Sequence, residues 1–103
     1  MKKSLRHPGK CPTHPGVILR EDVLPALGMS QTEFAQRLGV SRLSVSELLL
    51  EKRAVTTIMA ARLGKLLGTS AETWINMQTA LDLWKIAQQP DALAHIKPVK
   101  KSA

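Results

Sequence analysis

Residues 31–53 read QTEFAQRLGVSRLSVSELLLEKR, and this stretch restricts the possible folds more than any other part of the chain. Ser30 stands three residues before Glu33, the spacing of a capping box, and Phe34, Ala35 and Leu38 then share one face of a helix that Gly39 can end. Ser41 opens a second helix in which Val45, Leu48 and Leu49 make the buried face, so that Arg42, Leu43, Ser44 and Ser46 form its exposed start. Two helices joined by a three- or four-residue turn containing glycine, the second opening on small polar and cationic side chains, are the ingredients of a helix-turn-helix. Ala35 suits the close crossing, Val40 a plug beneath the turn. A bulky side chain at position 35 or 39 would force the helices apart.

The same punctuation runs through the rest of the chain. Pro15 fits the first turn of a helix carrying Ile18, Leu19, Val23 and Leu24, which Pro25 and Gly28 are expected to end. Thr56 or Thr57 starts a fourth helix with Met59, Leu63, Leu66 and Leu67 inward and Gly68 as its stop. Ser70 caps a fifth, running to about Gln89 before Pro90. Trp74, Met77, Leu81 and Trp84 repeat along one side of it as core or dimer residues, with Ile75 and Leu83 widening the apolar band. No segment alternates as a strand does. The expectation is an all-α, five-helix domain over residues 14–90 with the helix-turn-helix at 31–50 and a long C-terminal helix, between a basic arm at 1–13 and a basic tail at 91–103.

At 103 residues, 44% of them hydrophobic, the chain fits one modest core and leaves little room for a deep catalytic cleft. Cys11 stands alone, no apolar run reaches the ~18 residues of a membrane span, and the basic start lacks the apolar stretch of a secretory signal. These features point to a cytoplasmic domain. The net charge of +7 resides mostly in the flanks, since residues 15–90 hold eight basic and seven acidic side chains. Any contact with nucleic acid must therefore follow from where the core's cations sit. The tails can add only nonspecific attraction to phosphates.

The major groove, about 12 Å wide, admits one helix whose N-terminal side chains reach base edges. Arg42 is the natural guanine reader, Ser41 and Ser44 can bond bases or phosphates, and Leu43 can touch a thymine methyl. Gln31 can offer its amide to a phosphate together with free helix amides.

The pattern Gln31, Ala35, Gly39, Val40, Ser41, Val45, Ser46, Leu48, Leu49, Lys52, Arg53 is similar to the helix-turn-helix of the xenobiotic response element class, which includes the lambda repressor and Cro. With HPGVILRED at 14–22 and the Trp74–Leu83 run, residues 14–85 resemble the HigA-type (VapI-like) antitoxins. The resemblance implies a lambda-repressor-like fold, a homodimer, autorepression at operator DNA, and a RelE-fold mRNA-interferase toxin as partner. It places Gln31, Ser41, Arg42, Ser44, Ser46, Lys52 and Arg53 toward the duplex. The chain departs from the family where Leu50 and Glu51 replace an Asn-Gly pair, where Glu47 replaces a cation, and where Leu81 replaces an aromatic residue. A non-glycine residue must then take the turn after the second helix, or that helix must run on.

Other readings carry less. His7, Cys11 and His14 space three metal donors where a structural zinc site wants four, so no metal or other cofactor is expected. His14 more simply packs or caps beside Pro15. No nucleophile has a neighbouring base, and all three histidines are expected outside the helical core, so the chain is not expected to be an enzyme. Trp74 and Trp84 suit a core or a two-fold interface better than a ligand site. A stand-alone repressor without a toxin, and a protein-binding module that no longer reads DNA, remain the competing functions.

Overall fold

The computed structural model describes residues 10–99 and contains only helices and turns among them. The first helical run spans 15–27 in three registers: α1 (Pro15–Ile18), a π turn (Leu19–Val23) and α2 (Leu24–Leu27). The run ends at Leu27 with Gly28 as its left-handed cap, where Pro25 and Gly28 were expected to stop it within a few residues, and Pro25 itself is carried inside the last helical turn. The Leu24 N–H reaches back to the Leu19 carbonyl, widening the turn just upstream of the proline ring, a local adjustment that sequence punctuation does not reveal.

Helices α3 (Gln31–Leu38) and α4 (Arg42–Leu49) follow, then α5 (Thr57–Leu67) and α6 (Ala71–Ala87). Each opens on a side-chain cap: the Ser30, Ser41, Thr56 and Ser70 hydroxyls accept the N–H of Glu33, Ser44, Met59 and Thr73. A single 3-10 turn (Pro90–Ala92) lies beyond α6. Among the described residues no helix is long and apolar enough to cross a membrane.

Leu19, Phe34, Val45, Leu48 and Leu63 are wholly buried at the centre, with Leu24, Leu38, Leu49, Val55, Met59 and Trp74 around them. Helix α5 lies along α6, α3 against α4, and α1 against both α4 and α6. Leu66 and Leu67 are half-buried. Leu83 is 61% exposed instead of extending the buried band. The reason is phase: at 3.6 residues per turn Leu83 falls about half a turn away from Trp74 and Leu81, on the side of α6 opposite the buried stripe of Trp74, Gln78 and Leu81.

Candidate nucleic-acid interface

Gly39 closes α3 at φ 75°, in the left-handed region, and Val40 returns its N–H to the Ala35 carbonyl at 3.0 Å. That tight exit lets Ser41 begin α4 at once. Arg62 of α5 locks the corner by donating to the Leu38 carbonyl at 2.8 Å, satisfying a helix-end acceptor. Behind the corner Ala35 and Val45 are buried; in front of it Arg42 and Leu43 are exposed, Leu43 at 63%.

The Ser41 hydroxyl accepts from the Ser44 amide at 3.0 Å and donates to the Ser44 hydroxyl at 2.9 Å. Both serines are thus already engaged in holding the helix start, and Ser46 is half-buried one turn on. Arg42 makes no side-chain hydrogen bond or ion pair among the described residues, leaving a free cation at the tip of a helix whose opposite face is sealed. Gln31 is exposed in the first turn of α3.

The loop after α4 departs from the usual glycine turn and is braced in other ways. Glu51 takes φ 64°, its N–H bonding the Leu48 carbonyl at 3.1 Å while the Lys52 N–H bonds the Glu47 carbonyl at 2.8 Å. A non-glycine residue therefore occupies the turn, one of the two outcomes expected from Leu50 and Glu51. Lys52 and Arg53 are both exposed. The Arg53 guanidinium is tied to Glu47, with Nε 3.1 Å and Nη2 2.5 Å from the same carboxylate oxygen, so part of its charge is spent within the chain. Lys52 makes no ion pair among the described residues.

Sequence reasoning missed the polar contacts that hold this region from behind. His14 is buried at 5% exposure, not outside the helical core as expected for the histidines. Its Nδ1 accepts the Gly16 N–H at 2.8 Å, capping α1, and its Nε2 lies 3.1 Å from the Arg53 carbonyl. A carbonyl only accepts, so the proton sits on Nε2. Burial lowers the His14 pKa; the Arg53 carbonyl, Glu51 and Asp82 oppose that shift and Lys85 adds to it. Gly16 lies so close to α4 that an added Cβ would overlap the Leu48 carbonyl oxygen. Arg20 donates to the Leu49 carbonyl at 2.8 Å and stands 3.5 Å from Glu51, with its own charge favoured chiefly by the hydrogen bond to Glu21.

Gln78 of α6 is a further support. It is buried on the apolar face of α6, accepting the Val55 N–H at 2.8 Å and donating to Asp82 at 2.9 Å. A polar residue between Trp74 and Leu81 on one helix face was the only sequence signal for it. Trp74 is buried with its indole N–H on the Thr69 hydroxyl at 2.9 Å, and Leu81 is buried too. Met77 and Trp84 are half-buried. The Trp84 indole N–H has no partner among the described residues, and Leu83 and Ile86 beside it are exposed.

Of the three spaced metal donors, His7 lies outside the described residues, as do most of the basic arm and Lys100 and Lys101 of the tail. Cys11 is exposed, and both ring nitrogens of His14 are committed to protein partners, which does not fit a metal ligand.

The helix-turn-helix family model matches residues 19–74. Virulence-associated protein I of Dichelobacter nodosus is 39% identical over 90 residues, covering 87% of this chain and 83% of that protein. Among solved structures, the antitoxin GraA in complex with its operator superposes with a TM-score of 0.81 at 36% identity, covering 95% of this chain and all of the other. The Pseudomonas aeruginosa antitoxin HigA with the higBA promoter gives a TM-score of 0.77 at 33% identity, covering 86% and 99% of the two chains.

Proposed function

Because this chain belongs to the helix-turn-helix family, in its HigA-type antitoxin branch, we propose that it is a DNA-binding antitoxin that represses its own operon. The observation that carries this reading is the free N-terminal face of α4, where Arg42 and Leu43 project from a helix anchored by the fully buried Val45 and Leu48. Inserted in a major groove, Arg42 pairs with guanine O6 and N7, Leu43 meets a thymine methyl, and Ser44 and Ser46 contact the groove wall. Gln31 at the start of α3 and Lys52 with Arg53 after α4 bracket that helix and bind phosphates, which set its register on the duplex.

The protein acts as a two-fold dimer in the cytoplasm, presenting two such helices to half-sites about 34 Å apart. The end of α6 is suited to pairing the copies: Leu83 and Ile86 are exposed there, and the Trp84 indole N–H is left without a partner. The role is one of binding, toward operator DNA on one side and a RelE-fold mRNA-interferase toxin on the other. Two observations test it together. Duplex DNA from immediately upstream of the gene should shift in a gel, with Arg42→Ala weakening it by ~5–150-fold, the loss of a bidentate base contact. The product of the adjacent small reading frame should co-purify with the chain. A shift without co-purification would leave a stand-alone repressor, and co-purification without a shift a pure toxin-binding module.

A further inference from the structure

The loop from Leu50 to Val55 carries two cations of the interface on a turn with no glycine, and its shape depends on contacts from outside. Two come from different helices: the Val55 N–H is held by Gln78 of α6 in a buried bond, and the Arg53 carbonyl by His14 at the head of α1 in a part-buried one. His14 is 39 residues away in sequence, and its ring cannot turn without breaking its bond to the Gly16 amide. A third contact, the Glu47 carboxylate, takes the Arg53 side chain itself.

We infer that His14 is a positioning residue for DNA binding, its Nε2–H fixing the Arg53 carbonyl so that Lys52 and Arg53 meet the phosphates in register with α4. This rests on the DNA-binding reading above. One ring performs two tasks through two atoms, and the tasks can be separated chemically. The amide oxygen of asparagine occupies the place of Nδ1 and caps a helix well, but asparagine is too short to reach Arg53. The amide nitrogen of glutamine occupies the place of Nε2 and can still donate to Arg53, while the cap on Gly16 is lost.

The experiment compares full-length wild type, His14→Asn and His14→Gln in three measurements: melting temperature, hydrogen exchange of the free protein, and salt dependence of binding to the upstream duplex. Each phosphate contact contributes about 0.9 to the slope of log affinity against log salt concentration. His14→Asn should flatten that slope by about 1–2 and speed amide exchange at residues 52–54, while its melting temperature stays close to wild type. His14→Gln should keep the wild-type slope and exchange although it melts roughly 4–8 °C lower, the effect of a lost cap. A merely structural histidine gives the opposite ranking, with binding losses following melting temperature; that result, or equal slopes in all three proteins, overturns the inference. If wild type itself fails to bind the duplex, the DNA-binding reading falls and this inference with it. Wild-type binding with unaltered slopes removes the His14 role alone.

Discussion

Replacing Gly16 by alanine tests how tightly α1 is fitted to the end of the recognition helix. An added methyl would overlap the Leu48 carbonyl oxygen and stand 3.0 Å from its carbon, where ordinary contact is 3.4–4 Å. The obstacle is backbone and cannot rotate aside. Helices α1 and α4 must separate by roughly an ångström, and overpacking of this kind costs about 1–3 kcal/mol. The same carbonyl accepts the Glu51 N–H at 3.1 Å, so displacing it also strains the left-handed turn at a cost near 1 kcal/mol. Alanine returns up to about 1 kcal/mol through helix propensity and reduced chain entropy. The net is a destabilisation of about 1–4 kcal/mol, a drop in melting temperature of at least roughly 4 °C for a domain of this size. Far-UV circular dichroism during heating measures it directly. A melting temperature within about 2 °C of wild type would refute the claim that α1 is seated against α4 through this glycine.

Glu51→Gly relieves a left-handed non-glycine residue worth about 1 kcal/mol and gives up an ion pair to Arg20 that is partly exposed on both sides and contributes little. Urea denaturation should show a gain of about 0.5–1 kcal/mol; a loss would mean that the Arg20 pair dominates the turn. Glu47→Gln removes a carboxylate that competes with phosphate for the Arg53 guanidinium and should tighten DNA binding at low salt, with stability changing by less than ~1 kcal/mol. An affinity no higher than wild type would show that Arg53 does not reach a phosphate. Because burial keeps His14 below its ordinary pKa of about 6.5, the fold favours the neutral ring, and that contribution is whole above pH ~6.5 and lost as pH falls through the lower folded value. Urea midpoints should therefore decline from pH 7 to 5 more steeply in wild type than in His14→Gln, and parallel curves would contradict the burial argument.

What the sequence made visible was local. Ser30 with Glu33, Gly39 and Ser41 act on the residues beside them, so their spacing alone placed α3, the turn and α4, and with them the exposed Arg42 and Leu43. What the sequence hid had several causes. The π turn upstream of Pro25 went unseen because it depends on the carbonyl register of the preceding turn. Leu83 was an error of phase, since it falls about half a turn from the buried Trp74, Gln78 and Leu81 and so faces away from the core. The supports of the interface were hidden for a third reason: His14, Arg20 and Arg62 act on backbone carbonyls 24 to 39 residues away, and carbonyls carry no residue identity to match. The Glu47–Arg53 pair spans six residues across the Glu51 turn, a separation that no helix brings together.

The most direct test of the account is a backbone amide titration of the isotope-labelled protein by nuclear magnetic resonance with the upstream duplex. Chemical-shift changes and line broadening should concentrate at Gln31, Ser41–Ser46 and Lys52–Arg53, and leave residues 83–86 near their free positions. Perturbation centred on the end of α6 or on α5, with Ser41–Ser46 unmoved, would contradict the placement of α4 in the groove.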